Sequence, residues 1–503
     1  MTVVAAVGSV LMIQAAAQQY IPRVRPLTAA QKEIRQAMPE WRPAARGVSD
    51  ELPVTVDNSR LKYFPGVFNQ GSNNSCSQAS GVRYVYTYEV NRLLDRDASD
   101  PANVFCYHFT WNFLNDGENQ GSHAFLGYDL MKECGALNMV QMPDQEYSYA
   151  QQTQWVSGYQ TYIDAMNYRV ESYYRINLKT REGLDRLRRY LYDHGDGSAS
   201  GGVATISYQT DDWGYKTYSG PGSTSIRSIV TREGSDGPHA ITVVGYDDAV
   251  EYDFDGNGQI SDDERGALIF INSWGDIWGT QGKCYLPYSV VLADVGVGGL
   301  SEGDAEACVV RPLLEAPRMV FKVKLRYDRR NELSLMLGVA DGDETTAPLY
   351  EMTPTLLNHQ GGPNPMQGYN AADDIEIAFC FDRYYDRVSA FSAPKFFLTV
   401  RRVAATGKGR LVEFSVVDLI NGMEYRSSRR NIDLTGGQIV MTTGSAPVSV
   451  YASYSRWLWL VPGTSTPMPS TFVITTANGQ KRKFKVNGYD AKSGKMTIKH
   501  QKL

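Results

Sequence analysis

Phe68-Asn69-Gln70-Gly71-Ser72-Asn73-Asn74-Ser75-Cys76-Ser77-Gln78-Ala79-Ser80 is the stretch on which the reading of this chain turns. Two distant segments answer it: Gly237-Pro238-His239-Ala240-Ile241-Thr242-Val243-Val244-Gly245-Tyr246 and Ile271-Asn272-Ser273-Trp274-Gly275. Together they supply a thiol, an imidazole, an amide to orient the imidazole, and a second amide six residues before the thiol. A thiol beside an imidazole can become a nucleophilic thiolate near neutral pH. A third polar group must hold the ring in the useful tautomer. A donor must also face the oxyanion that forms when sulfur attacks a carbonyl. Singly, each residue suits a core or a turn; their joint occurrence carries the chemistry.

At these positions the chain resembles the papain (C1) family of cysteine peptidases, as a secreted, bacterial-type relative with an accessory C-terminal β domain. Asn-Gln-Gly leading to Ser-Cys is similar to that family's nucleophile segment. His-Ala followed by an apolar run and Gly-Tyr resembles its histidine strand. Asn-Ser-Trp-Gly, continuing to Asp276-Ile277-Trp278-Gly279, resembles its asparagine motif, and Leu52-Pro53-Val54-Thr55-Val56-Asp57 its mature start. The resemblance implies Cys76 as nucleophile, His239 as general base and acid, Asn272 as its orienter and Gln70 in the oxyanion hole. Trp274 would shield the Asn–His hydrogen bond. Three departures accompany it. Ser77 follows the nucleophile where an aromatic residue is usual, Asn73 replaces a disulfide cysteine, and Pro238 precedes the histidine.

Spacing adds a second feature. The family pattern puts histidine and asparagine about 130–150 residues after the cysteine, roughly 20 apart. Here His239 and Asn272 are 33 apart. The surplus contains Asp253-Phe254-Asp255-Gly256-Asn257-Gly258-Gln259-Ile260-Ser261-Asp262-Asp263-Glu264, which fits a calcium loop of the EF-hand type. Asp253, Asp255 and Asn257 stand at positions 1, 3 and 5, Gln259 offers its carbonyl at 7, Ser261 stands at 9 and Glu264 at 12. The flanks read as strands, so the expectation is a structural Ca²⁺ site at a hairpin tip. The competing reading is a solvated acidic turn.

A length of 503 residues predicts two or three domains, and 42% hydrophobic with 21% charged residues is globular usage. A net charge of −5 gives no reason to expect nucleic acid. The resulting fold class is α+β: a papain-like peptidase with a helical left half and a β right half, followed by an all-β sandwich and a short β tail. Residues 1–17 read as a signal peptide, with an apolar Val3–Ile13 core and Ala15-Ala16-Ala17 as cleavage site, although the first basic residue is Arg23. Secretion, to the extracellular space or periplasm, is expected. Residues 18–50 read as a short propeptide or linker with one helix from Thr28 to about Met38, and 51–315 as the peptidase. Within it, Val82, Val85, Tyr86, Val90 and Leu93 mark a helix from Ser77 to about Asp95, whose N-terminus favours a thiolate. Other helices are expected near 105–115, 122–135 and 180–193. Residues 316–461 read as a β-sandwich, from alternations such as Phe321-Val323-Leu325-Tyr327. Residues 462–503 read as a linker and a basic β tail. No stretch is long enough to span a membrane.

The expected function is that of a cysteine endopeptidase acting on protein or peptide substrates, with no organic cofactor. The sandwich is a scaffold or a contact for a cell surface or carbohydrate. Two other readings stand beside it: a catalytically inactive papain-like binding module, and an acyl transferase of transglutaminase type, which would favour Asp over Asn272. A Cys284–Cys308 disulfide is the expected pairing among the remaining cysteines.

Overall fold

The structure is a computed structural model and describes residues 27–44, 51–143, 148–301, 303–404, 406–449, 471–475, 481–490 and 495–502. The expected signal peptide and the Pro462–Pro469 linker lie outside the described residues. The chain divides into two compact units. The first comprises 1–132, 136–155 and 170–313; the second comprises 133–135, 156–169 and 314–503.

The first unit is organised by the fourteen-residue strand Pro238–Glu251. Every residue from His239 to Asp247 is buried, so both faces are covered, as a central strand requires. It pairs antiparallel with Ala204–Gln209 on one side and with Arg265–Ile271 on the other, and Thr55–Asp57 adds at its far end. Thr242 lies opposite Ile271, so His239 and Asn272 emerge at the same end of the sheet. Lys283–Pro287 continues the sheet next to Arg265–Ile271, and Glu306–Leu313 lies beyond Ala204–Gln209.

That order overturns the expected disulfide. Cys284 and Cys308 are free thiols on strands with three others between them, Ala204–Gln209, Pro238–Glu251 and Arg265–Ile271. At about 4.8 Å per strand the gap is roughly 19 Å, against the ~7 Å limit for a disulfide.

Against this sheet lies a helix running from Cys76 to Leu94, whose middle, Ala79–Tyr86, winds in wider π-type turns. Val82, Val85, Tyr86 and Val90 are buried as their spacing predicts, but Leu93 is 46% exposed. Leu93 stands in the last turn, one residue before the helix ends at Leu94. One turn earlier Glu89 is buried, where it accepts from Tyr190 Oη at 3.0 Å and meets His194 Nε2 at 2.9 Å. Further helices run over Tyr107–Leu114, Ala124–Cys134 and Arg181–Asp193.

Residues 28–44 are built into this unit. Thr28 and Gln31 form a reciprocal cap on the helix Ala29–Gln36. Trp41 N–H donates to Arg175 O at 2.8 Å, and Arg175 N–H returns a bond to Pro39 O at 3.0 Å. The Trp41 ring joins the hydrophobic core, edge-on to Tyr190 at 5.2 Å.

Up to residue 449, the described part of the second unit contains two antiparallel sheets. One is centred on Met319–Tyr327, flanked by Ile375–Cys380 and Gly409–Asp418; the other pairs Leu333–Asp341 with Pro394–Arg402, with Tyr350–Met352 and Gln438–Thr442 at its edges. Phe321 and Phe381 of the first meet Phe396 of the second, at 5.7 and 6.4 Å between rings. A three-stranded antiparallel sheet, Thr471–Thr475, Lys481–Asp490 and Lys495–Lys502, ends the described chain.

Candidate active site

Cys76 opens its helix. Its sulfur lies in hydrogen-bond reach of the backbone N–H of Ala240, the residue after His239. Ser80, one turn on, fixes the helix against the sheet. Its hydroxyl donates to Ile241 O at 3.0 Å and exchanges bonds with Thr205 Oγ1 and Thr242 Oγ1 at 2.8 and 2.7 Å. Gln78 pins the opposite side, accepting from Thr110 Oγ1 at 2.8 Å and donating to His123 O at 3.0 Å. Gly127 is required there, because a Cβ would sit 2.0 Å from Gln78 Oε1.

His239 Nε2 lies 2.8 Å from Asn272 Oδ1. The same Oδ1 accepts the Ser273 N–H at 2.7 Å, which identifies it as the carbonyl oxygen of the amide. An acceptor there requires the proton on Nε2. Nδ1 then carries the lone pair, and it has no hydrogen-bond partner among the described residues. Trp274 stacks on the imidazole at 4.6 Å and 28°. Trp213 and Trp278 extend this into an aromatic wall, each about edge-on to Trp274 at 5.9 and 5.8 Å.

Gln70 arrives through backbone pairing with the asparagine motif. Its N–H donates to Ser273 O at 2.9 Å, and Gly275 N–H donates to Phe68 O at 3.0 Å. Ser273 Oγ donates to Gln70 Oε1. That fixes the amide plane and leaves Nε2 to donate, one hydrogen going to Asn73 O at 2.8 Å. Asn73, where the family has a disulfide cysteine, is buried in a polar staple: Ser75 Oγ donates to its Oδ1, and its Nδ2 meets His108 Nε2 at 3.4 Å. Ser77, at the family's aromatic position, meets Ser122 Oγ at 3.1 Å.

Cys76 and His239 are 1% and 0% exposed, so the pair is closed to solvent in this structure rather than lining an open cleft. Burial pushes the thiol up to about 11. It pushes the imidazole down to about 4, against the Asn272 hydrogen bond that favours the charged ring. The closed state therefore holds a neutral thiol and a neutral imidazole.

The 253–264 insertion forms the tip between the His239 and Asn272 strands. Carboxylate oxygens of Asp253, Asp255 and Glu264 lie within 4.8 Å of one another. Gly256 and Gly258 N–H donate to Asp253 at 2.8 and 2.9 Å, and Asn257 N–H to Asp255 at 3.0 Å. Gly258 takes φ +80°, which a side chain would strain. Ser261 and Glu264 form a capping box on a single 3₁₀ turn, Asp262–Glu264, in place of a following helix. The Ser261 N–H is the main cause holding the Glu264 carboxyl down to about 2. A hard, oxygen-seeking cation fits this donor set. Asn257 Oδ1 is occupied by Gln259 N–H at 2.8 Å, and Gln259 itself is exposed.

The sequence did not single out Ser80, Ser273, Ala240 or Trp213. Ser273 lies inside the asparagine motif and could have been read there. Ser80 and Ala240 lie inside the quoted nucleophile and histidine segments without a role read for them, and Trp213 carries no signal apart from the fold.

No family model and no curated protein matches the chain. Among solved structures, it is similar to xylellain, a cysteine protease from Xylella fastidiosa, at 20% identity and TM-score 0.37 over 58% of this chain and 94% of that one. It is also similar to the digestive procathepsin L2 proteinase of Tenebrio molitor larval midgut, at 17% and 0.36 over 58% and 78%. A third is the bromelain protease of Ananas comosus, at 15% and 0.33 over 52% and 100%.

Proposed function

We propose that this protein is a papain-like cysteine endopeptidase. The observation that carries the reading is the His239 Nε2–Asn272 Oδ1 bond, which leaves the imidazole lone pair on Nδ1 while the Cys76 sulfur sits beside Ala240. In this reading Cys76 gives its proton to Nδ1 as the sulfur attacks the substrate carbonyl carbon. The resulting oxyanion is met by the second Gln70 Nε2 hydrogen and the Cys76 backbone N–H. The imidazolium then protonates the leaving amine, and His239 deprotonates a water that hydrolyses the thioester. Trp274 keeps water from the His239–Asn272 bond. An apolar N-terminal stretch, Val3–Ile13, supports export of the enzyme. The test is mass spectrometry after treatment with an epoxide thiol inhibitor. Of the six free cysteines, only Cys76 acquires the adduct, and hydrolysis of denatured casein is lost in proportion. Labelling elsewhere, or hydrolysis that survives full labelling of Cys76, sinks the proposal.

The 253–264 loop serves in this reading as a structural Ca²⁺ site, with Asp253, Asp255, Asn257, Ser261, Glu264 and the Gln259 carbonyl as ligands. Its support is the convergence of the three carboxylates at the hairpin joining the two site strands. Calorimetry of the full chain is expected to show one calcium bound, and excess chelator to lower the thermal midpoint. Glu264→Gln should abolish both effects. A midpoint indifferent to chelator and calcium removes the site.

A further inference from the structure

One end of the second unit gathers cations from several segments. Arg401 and Arg402 end the strand Pro394–Arg402, Lys408 and Arg410 open the strand Gly409–Asp418, and Arg429 lies in the connection that follows Met423–Arg426. The fold places them together. Arg402 N–H donates to Gly437 O at 2.9 Å, and Leu434 N–H to Gly409 O at 2.9 Å. Arg401 Nε donates to Gln438 Oε1 at 3.0 Å, and Arg429 Nη1 to Val440 O at 3.1 Å. The Arg402 guanidinium ties the loops together through Gly436 O at 2.9 Å and Gly407 O at 3.4 Å.

Arg401, Lys408, Arg410 and Arg429 are exposed and make no ion pair among the described residues. The carboxylates nearby are Asp328, which accepts the Lys408 N–H at 2.6 Å; Glu332, which accepts the Gly407 N–H at 3.0 Å and pairs with Arg329 at 3.0 Å; Asp433, cross-strand from Arg410; and Glu413, which pairs with Arg430 at 3.1 Å. This excess sits in a chain of net charge −5, so it is a local feature. Amid the cations, Val403 is 70% exposed and Val440 40%.

We propose that this end of the second unit docks on an anionic lipid surface. Guanidinium and ammonium groups meet lipid phosphates, and Val403 enters the headgroup boundary between them. An exposed apolar tip within a cationic rim suits an interface that is charged outside and apolar beneath. A soluble polyanion would give Val403 nothing to bury against. Among the described residues no exposed aromatic ring stands in the patch for a base or sugar to stack on; Tyr327, beside Arg402, is buried. The proposal is independent of the catalytic reading.

The test is sedimentation of the full chain with vesicles of equal phosphatidylglycerol and phosphatidylcholine, and with phosphatidylcholine alone. Binding is expected to the anionic vesicles only and to weaken with salt. The triple variant Arg401→Glu/Arg410→Glu/Arg429→Glu is expected to partition at least about 100-fold more weakly, from roughly fivefold per charge removed. The same three positions changed to Lys should bind almost as the parent, which separates a charge effect from a folding defect. Val403→Asp should weaken binding at high salt most. Four results overturn the proposal. The chain ignores anionic vesicles; the triple Glu variant binds as the parent does; the Lys variant fails while its thermal midpoint is unchanged; or the patch retains heparin and not vesicles.

Discussion

Cys76→Ala is expected to lower peptide-bond hydrolysis by on the order of 10⁶-fold, as removal of a nucleophile that acts in concert with its base does. Thermal stability should move by only about 1 kcal/mol, because one buried sulfur is removed and the surrounding bonds of Ser80 and Gln78 stay intact. Asn272→Ala should cost much less. His239 would keep its place under Trp274 but lose the partner that fixes its proton on Nε2. The two variants, assayed on denatured casein beside their melting curves, separate chemistry from orientation. Full hydrolysis by Cys76→Ala would end the nucleophile assignment.

Trp41→Ala is expected to destabilise the first unit by about 3–5 kcal/mol, the range for deleting a large core aromatic. The ring is 9% exposed and packs on Tyr190, and a Cβ on Gly195 would come within 2.7 Å of it. Under the proposed function, such a plug would stay with the enzyme rather than be shed on activation. Activity per folded molecule should therefore be unchanged. Chemical denaturation checks the first expectation. A loss below about 1 kcal/mol, or a rise in activity on substitution, would return residues 28–44 to the role of a short propeptide or linker.

The residues that the structure gathers around His239 were largely legible in the sequence. Thiol, imidazole and amide side chains have few substitutes, and the strands bearing His239 and Asn272 advertise themselves by apolar runs with glycine and acidic turns. The insertion between them was legible from the lengthened His239–Asn272 spacing, and the structure places it as the tip joining the two strands. What was hidden depends on tertiary phase. Leu93 keeps the apolar period yet is exposed, because it falls in the last turn of its helix, while the charged Glu89 on the same face is buried against Tyr190 and His194. Cys284 and Cys308 are close in sequence but belong to strands far apart in the sheet order. Trp41 looked like part of a linker because its partners, Arg175, Tyr190 and Gly195, lie well over a hundred residues away. The polar staple at Asn73 could be noticed only as the absence of a cysteine; its partner His108 came from another helix.

The closure over Cys76 has a bearing on the protein's chemical lifetime. Peroxides and disulfides react with thiolates, and sulfenic acid formation follows thiolate content and access. A thiol held protonated, with its sulfur away from water, offers neither. Under the proposed mechanism, the geometry that delays charge separation until a substrate enters would also make the resting sulfur a poor target for oxidants, so the reactive atom would be stored in its least perishable form.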